Sequence, residues 1–244
     1  MTQTIHPQGE SNEVPQRATS AAERLVRAAR ALFDRGLIVG LDGNLSLRLP
    51  AGDILITPSG AVKGWIEPRD LLRVDLQGRV LAGPPGARAS SELAMHLAVY
   101  RARPGVGAVV HAHPPSVVAC SVLSLPLLAE ALPEAVLVTG QPVLLPYATP
   151  STAEGAAVLA PRVSDGNCFV LERHGSLTVA PGLDLAFART ESLEQLARFS
   201  LLAWQVRGGL VSELTLSSEL TLSAAKLAEL AAVRRRMGWA TEAG

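Results

Sequence analysis

The sequence lacks the features of a membrane protein, a nucleic-acid-binding protein or a disulfide-stabilised protein. Only two of its 244 residues are cysteines, 4% are aromatic, and 22 basic residues balance 22 acidic ones. Without a net positive charge, no overall field attracts nucleic acid or an acidic membrane surface. Proline, glycine or a charged residue interrupts each apolar run before the roughly 18 residues that a membrane span needs. We therefore expect neither a membrane nor a nucleic acid as partner.

The one basic cluster is Arg234-Arg235-Arg236, late in a segment with helical spacing. Basic side chains in the last turn of a helix offset the helix dipole. We interpret the cluster as a solvated helix end rather than as a binding patch.

The cysteines and the N-terminus suggest a location. Cys120 and Cys168 both lie in apolar segments, which is typical of buried free thiols in a reducing compartment rather than of a disulfide framework. Residues 1–19 are polar and lack the apolar stretch of a signal peptide. These features predict a disordered tail over residues 1–19, a domain over residues 20–244 and a cytoplasmic protein.

Apolar side chains are plentiful: 48% of the residues are hydrophobic against 18% charged, enough for a large core. Nothing along the chain has the composition of a linker, which favours a single domain. Helical spacing predicts helices over residues 20–36, 91–100, 116–121, 151–160, 185–207 and 223–237. Between them lie short alternating or β-branched runs with tight turns. The pattern predicts an α/β fold with a central, mainly antiparallel β-sheet between helical layers.

The sharpest signal for chemistry is His111-Ala112-His113. The pair ends a β-type run, and residues two apart on a strand point to the same face, so both imidazoles can reach one metal ion. Pro114 then ends the strand, which places the pair at an end of the sheet. The alternative is two histidines that lie together without a common ligand.

A third ligand would come from the three remaining histidines, which are His6, His96 and His174. His6 lies in the expected tail. His96 lies on a predicted helix, where a packing or surface role is the simpler interpretation. His174 precedes Gly175 at a sharp turn between two predicted strands and is the best candidate. Three imidazoles leave one coordination position open for substrate, as in catalytic zinc sites.

Three turns are rich in small polar residues: Gly43-Asn44-Leu45-Ser46, Thr57-Pro58-Ser59-Gly60 and Ser90-Ser91-Glu92. Taken singly, each is an ordinary turn or helix start, and a glutamate in a first helical turn commonly only offsets the dipole. Taken together, they are the kind of donor-rich loops that hold a phosphate with backbone N–H and hydroxyl groups.

In this order, the motifs resemble those of the class II aldolase/adducin family, and most of all its sugar-phosphate aldolases of the L-fuculose-phosphate type. The motifs are the three turns, His111-Ala112-His113, Pro146-Tyr147-Ala148-Thr149 and His174-Gly175, within residues 21–237. The resemblance implies an α/β fold of the kind predicted above. It also implies a cyclic homotetramer with active sites at the subunit interfaces.

The resemblance further implies roles for individual residues. The implied ligands of Zn²⁺, or of another divalent transition metal such as Mn²⁺, Fe²⁺ or Co²⁺, are His111, His113 and His174. The implied acid/base is Glu92. The implied positions that hold the phosphate of a phosphorylated sugar substrate are Asn44, Ser59, Gly60, Ser90 and Ser91.

The implied reaction is metal-dependent retro-aldol cleavage of a ketose 1-phosphate to dihydroxyacetone phosphate and an aldehyde. Thr57 and Glu92 differ from the lysine and aspartate that the family's 4-epimerases have at these places, which favours an aldolase or a decarboxylase. The sequence also departs from the fuculose-phosphate enzymes. Their tyrosines are replaced by residues near Glu130 and Met237, so the proton carrier on the alcohol side is unassigned.

Other functions stay open within the same family. A decarboxylase of a 3-oxo acid phosphate, or a dehydratase or epimerase, would use the same metal. A non-catalytic interaction module like the adducin head belongs to a different class, and there the resemblance predicts loss of the metal histidines. All three histidines are present, which favours an enzyme.

Overall fold

The structure is a computed structural model that describes residues 19–206 and 221–240. It contains one eight-stranded sheet, whose strands in chain order are β1 (Asn44–Arg48), β2 (Ile54–Ile56), β3 (Leu72–Val74), β4 (Val80–Ala82), β5 (Ala108–Ala112), β6 (Val143–Leu145), β7 (Cys168–Leu171) and β8 (Gly175–Ala180). Across the sheet the order is β4-β3-β2-β1-β5-β8-β7-β6. Only β6 and β7 pair in parallel. The predicted mainly antiparallel sheet is confirmed.

Helices cover both faces of this sheet. They are α1 (Ala21–Asp34), α2 (Leu93–Ala102), α3 (Pro115–Val122), α4 (Pro133–Val138), α5 (Glu154–Leu159), α6 (Leu183–Val206) and α7 (Ala224–Arg236). Successive residues of β5 point to opposite faces: Val109 packs in the core that includes α2 and α5, and Val110 in the core that includes α1 and α6. The predicted α/β fold between helical layers is confirmed. Among the residues described, no helix has the length and apolarity to cross a membrane.

Helix α1 begins where the sequence predicts, because Ser20 is its N-cap. The Ser20 hydroxyl accepts the Glu23 N–H at 3.2 Å, and the Glu23 carboxylate accepts the Ser20 N–H at 2.8 Å, which completes a capping box. The helix ends before Gly36, whose φ of +67° favours glycine. The expected N-terminal tail lies outside the described residues, apart from Thr19.

Three predicted helix starts are wrong by two or three residues, and the simplest case is α6, which begins at Leu183 rather than at residue 185. Helix α2 begins at Leu93, because Glu92 is its N-cap and has non-helical backbone angles (φ −102°, ψ 14°). Helix α5 begins at Glu154 rather than Ser151, because Ser151 has a left-handed φ of +61° and the Thr152 hydroxyl accepts the Glu154 N–H at 3.2 Å. In α5 the shift follows from a local side-chain bond that hydrophobic spacing does not reveal.

Two further predictions concern the cysteines and the arginine cluster. Cys120 and Cys168 are buried and unpaired, as predicted. The interpretation of the arginine cluster as a solvated helix end is wrong for Arg234. Its guanidinium donates to the carbonyls of Thr139, at 3.2 Å, and Trp239, at 3.3 Å, and so connects α7 to the end of α4.

Candidate active site

The three histidines predicted to share a metal meet at one end of the sheet. His111 lies in β5 and pairs with Leu177 of β8, while His174 lies in the turn that leads into β8. That turn is tight because Arg173 has a left-handed φ of +59°. His113 follows β5 directly. The three ring centroids are 4.8 to 4.9 Å apart, and one nitrogen of each ring lies within 4.8 Å of the other two.

Hydrogen bonds fix which nitrogens point into this cluster. Nδ1 of His111 lies 2.9 Å from the Ser176 carbonyl, which only accepts, so Nδ1 carries the proton and Nε2 presents its lone pair. Nδ1 of His113 faces the Asp42 carboxylate at 3.4 Å. The Nε2 atoms of His111 and His113 then face each other at 3.0 Å. Two facing lone pairs are stabilised by a cation.

Glu92 places a carboxylate against the same cluster. It is 8% exposed; Oε2 lies 3.0 Å from Nε2 of His111, and Oε1 lies 3.4 Å from Nε2 of His174. Asn44 donates to Oε2 at 3.0 Å, whereas Oε1 has no hydrogen-bond partner among the residues described. A buried oxygen without a donor, beside three imidazole nitrogens, fits a bound divalent metal.

The pKa shifts of Glu92 and the histidines agree with a bound metal. Burial alone would raise the pKa of Glu92, but its contact with the His111 ring and the Asn44 hydrogen bond hold it below its usual range. A metal cation in the same place would act in the same direction. Burial, reinforced by the neighbouring imidazole of His111, lowers the pKa of His113 to about 3 and also lowers that of His174. Both are therefore neutral near pH 7, which is the form that binds metal.

A cavity of about 160 Å³ opens beside the cluster. Its lining includes all of the predicted phosphate positions and parts of the histidine cluster, namely Asn44, Ser59, Gly60, Ser90, Ser91, Glu92, His113 and His174. The structure thus brings the three polar turns to one place. A separate cavity of about 310 Å³ beside α3 and β6 is lined mainly by apolar side chains and contains none of these residues, so it is not where the chemistry would occur.

Sequence reasoning missed Lys63, which also lines the cavity. Its side chain is buried, and its ammonium donates to the carbonyls of Leu41, at 2.9 Å, and Ala61, at 2.8 Å. Burial lowers the pKa of Lys63, while the charges of Asp42 and Glu92 act in the opposite direction. One signal was available: Lys63 is one of only two lysines in a chain whose other basic residues are arginine.

His96 differs from its sequence interpretation in an informative way. It is fully buried, so a surface role is wrong, and its ring contacts polar groups rather than only packing. Nε2 lies 2.6 Å from Oδ1 of Asn44, and Nδ1 lies 2.7 Å from the Ser46 hydroxyl. Burial, together with the nearby imidazole of His111, lowers the pKa of His96 to about 3. His96 is not part of the histidine cluster but contacts a residue that is adjacent to it.

The tyrosines of the same chain lie outside the cavity, so the proton carrier on the alcohol side stays unassigned. Tyr100 is buried, with its hydroxyl 2.8 Å from that of Ser46, and Tyr147 is 53% exposed. Within the described part of the chain, neither lines the 160 Å³ cavity. Glu130, the other residue considered, is exposed on a short 3₁₀ helix (Ala129–Ala131) and does not line the cavity either.

Comparison with known proteins identifies the class that this fold and site define. Residues 23–201 match the family described as Class II Aldolase and Adducin N-terminal domain. The chain belongs to this family. Class II aldolases depend on a divalent metal, and the cluster of three histidines agrees with that dependence.

Individual relatives have two different activities. The chain is 36% identical over 183 residues to 3-oxo-tetronate 4-phosphate decarboxylase of Escherichia coli K12, covering 73% of this chain and 85% of the relative. It is 34% identical over 180 residues to L-fuculose phosphate aldolase of Methanococcus vannielii, covering 73% and 94%.

Solved structures of this family share the fold. YgbL of Escherichia coli superposes with a TM-score of 0.74 at 32% identity, covering 86% of this chain and 96% of that one. L-Fuculose-1-phosphate aldolase of Thermus thermophilus superposes with a TM-score of 0.66 at 32% identity, covering 75% and 94%.

Proposed function

We propose that this protein is a metal-dependent lyase that cleaves a carbon–carbon bond near the carbonyl of a small phosphorylated sugar or sugar acid. The observation that carries the proposal is the position of Glu92. Its carboxylate contacts His111 and His174 and also lines the cavity that contains the polar turns. Glu92 can therefore reach a carbon atom of a substrate whose oxygens face the histidines.

The histidine cluster would hold the metal through His111, His113 and His174. Zinc is our first choice, although an all-imidazole site also suits manganese, iron or cobalt. A divalent metal held there supplies Lewis-acid polarisation of substrate oxygens and stabilisation of the negative charge that develops when the bond breaks.

The polar turns would hold the substrate phosphate. Ser59, Gly60, Ser90 and Ser91 line the cavity and would supply hydroxyl and backbone N–H donors, apart from the Ser59 N–H, which donates to the Arg88 carbonyl. The Lys63 ammonium adds a buried positive charge beside them. Asn44 also lines the cavity, but its amide donates to Glu92. We therefore assign Asn44 to the carboxylate as well as to the phosphate pocket.

For a ketose 1-phosphate, the reaction is retro-aldol cleavage. The bond between C3 and C4 breaks, C3 keeps the electron pair, and the C4 hydroxyl proton passes to Glu92 through the unassigned carrier as the aldehyde forms. Glu92, in its protonated form, donates a proton to C3 and completes dihydroxyacetone phosphate; in the reverse direction its carboxylate removes that proton.

Decarboxylation is a second candidate, favoured by the positions of Tyr100 and Tyr147 away from the cavity. Loss of carbon dioxide from a 3-oxo-tetronate 4-phosphate leaves the electron pair on the carbon next to the carbonyl. A proton that Glu92 takes from solvent and transfers to that carbon again gives dihydroxyacetone phosphate. This reaction releases no hydroxyl proton, so it needs no second proton carrier.

Product analysis tests the proposal and separates the two candidates. The zinc-loaded protein is incubated with a panel of ketose 1-phosphates and with 3-oxo-tetronate 4-phosphates, and dihydroxyacetone phosphate is measured by its enzymatic reduction. Release of an aldehyde identifies an aldolase, and release of carbon dioxide identifies a decarboxylase. An epimerised or dehydrated product without dihydroxyacetone phosphate would overturn the proposal, and so would the absence of both metal binding and turnover, as expected of an adducin-like module.

We also propose a homotetramer in the cytoplasm. Large apolar side chains remain exposed on the chain, among them Leu123, Leu144 and Leu202, each 58 to 61% exposed, which supports further assembly. Cys120 and Cys168 are unpaired, which supports a reducing compartment. The balanced charge gives no support for nucleic acid as a partner.

A further inference from the structure

A chain of buried hydrogen bonds extends from Glu92 into the protein, away from the cavity. Asn44 Nδ2 lies 3.0 Å from Glu92 Oε2, and Asn44 Oδ1 lies 2.6 Å from His96 Nε2. His96 Nδ1 lies 2.7 Å from the Ser46 hydroxyl, which lies 2.8 Å from the Tyr100 hydroxyl. All five side chains are at most 8% exposed.

This chain of hydrogen bonds connects two secondary-structure elements, strand β1 and helix α2. Asn44 and Ser46 are two apart on β1 and so share one face of the sheet, while Glu92, His96 and Tyr100 recur every four residues along α2 and its N-cap. The side chains alternate between strand and helix, so each partner is held by a different element. This arrangement leaves little freedom for any one side chain to rotate.

The carboxylate of Glu92 determines which partner donates in every hydrogen bond of this network. An ionised carboxylate only accepts, so the amide of Asn44 donates to it and the Asn44 oxygen faces His96. His96 must then carry its proton on Nε2, which leaves Nδ1 as an acceptor. Its remaining partner, the Ser46 hydroxyl, donates to Nδ1.

The last link follows from the same reasoning. Because the Ser46 hydroxyl donates its hydrogen bond to His96, it must accept a hydrogen bond from the Tyr100 hydroxyl. The Tyr100 oxygen is in turn hydrogen-bonded to the backbone of Val109. Every donor along the chain therefore points towards Glu92. If His96 carried its proton on Nδ1 instead, Asn44 would have to turn its oxygen towards the carboxylate, and two acceptors would face each other.

We infer that His96, as the neutral Nε2–H tautomer, is a positioning residue that orients Asn44 so that its amide holds the Glu92 carboxylate at the histidine cluster. His96 does not touch the cavity and acts only through Asn44. The hydrogen-bond chain itself does not depend on the reaction, whereas its effect on turnover rests on the proposed function.

The tautomer of His96 is the first test. The zinc-loaded, full-length protein, labelled with ¹⁵N in its histidines, is measured by NMR at neutral pH, and the His96 signals are identified by their loss in His96→Gln. We expect a neutral ring whose bound proton is on Nε2. A proton on Nδ1, or a doubly protonated ring, would overturn the inference, because the hydrogen bonds would then no longer all donate towards Glu92.

The second test asks whether His96 controls Asn44. The side-chain amide protons of Asn44, identified by their loss in Asn44→Asp, should exchange slowly with solvent in the wild type and at least tenfold faster in His96→Leu, which cannot hydrogen-bond. They should stay protected in Val99→Ala, a control that removes buried volume from the same helix without touching the chain. Equal protection in His96→Leu and Val99→Ala would overturn the inference.

A third test uses turnover. His96→Leu should slow the exchange of the C3 hydrogen of saturating dihydroxyacetone phosphate about 10- to 100-fold relative to Val99→Ala, by analogy with the loss of residues that orient metal ligands. His96→Gln, whose amide can donate in place of Nε2, should recover most of that loss. Equal rates in His96→Leu and Val99→Ala would overturn the positioning role. A wild type that shows no exchange contradicts the proposed function instead, and the two NMR tests still decide the inference.

Discussion

Nε2 of His113 lies 3.0 Å from Nε2 of His111, and the Nδ1 atoms of the two rings face the Asp42 carboxylate and the Ser176 carbonyl respectively. Neutral imidazoles that face each other in this way repel through their lone pairs, and a cation removes the repulsion. Glu92 adds an acceptor to the same space, with Oε2 3.0 Å from His111. This geometry leads to the first prediction.

Replacing two of the three proposed ligands should abolish metal binding. We expect about one divalent metal ion per wild-type chain and a loss of nearly all of it in the double variant His111→Ala/His113→Ala, because one imidazole and a carboxylate do not make a strong site. Metal analysis after gel filtration measures this. His96→Gln is the matched control, since it also removes a histidine but from outside the cluster, and it should keep its metal. Stoichiometric metal in the double variant would contradict the assignment.

The variant Glu92→Gln tests the acid/base role. Glutamine keeps the size of the side chain and can still accept from Asn44, so the fold and the phosphate pocket should be retained. Loss of the acid/base should slow C3 hydrogen exchange of dihydroxyacetone phosphate in deuterated water by about 100- to 10,000-fold. NMR of the phosphate ester measures this without knowledge of the natural aldehyde. Exchange at the wild-type rate in the variant would assign the proton transfer to another group.

The two lysines of the chain, one buried and one exposed, allow the role of Lys63 to be tested against a matched control. Lys63→Met removes a buried donor and leaves the carbonyls of Leu41 and Ala61 without it, so we expect a loss of about 1–3 kcal/mol in the free energy of unfolding. Inorganic phosphate should also bind about tenfold more weakly, because the cavity loses a positive charge. Lys226→Met is the control, since Lys226 is exposed and should change stability by less than about 0.5 kcal/mol. Urea unfolding and phosphate titration of both variants decide it; equal behaviour would refute the role of Lys63.

Acid should destabilise the metal-free protein through His96. Its pKa is lowered from 6.5 to about 3 by burial, so between these values the unfolded chain binds a proton that the folded chain does not. The free energy of unfolding therefore falls as the pH falls from about 6.5 towards 3, by about 1.4 kcal/mol per pH unit for this group. His96→Gln should reduce the slope by that amount. Urea unfolding between pH 7.5 and 4.5 measures it, and parallel slopes in the two proteins would disagree with the prediction.

Light scattering should report a mass about four times the 25.5 kDa of one chain, as expected of the proposed homotetramer. The exposed apolar side chains are the physical reason to expect assembly. A stable monomer at micromolar concentration would contradict the tetramer and, with it, the expectation that active sites lie at subunit interfaces.

Much of the site could be predicted because its signals are local. His111 and His113 share a face since side chains alternate along a strand, and His174 lies beside them since its turn leads into β8, the neighbour of β5. The spacing of Glu92, His96 and Tyr100, each four residues apart, was equally readable as one helix face. Its meaning was missed because the partners, Asn44 and Ser46, lie about 50 residues earlier in the chain.

By itself the sequence determined the class of fold, the family and the set of histidines, because these depend on periodicity and on short motifs that survive without their surroundings. Only the tertiary structure decided what the buried polar groups do. Arg189 is an example: it lies inside α6 at 1% exposure and donates to backbone carbonyls of Val138, Val179 and Trp239, three separate segments. A buried donor is stable only where distant segments supply acceptors. That pairing is a property of the folded chain, and no local pattern encodes it.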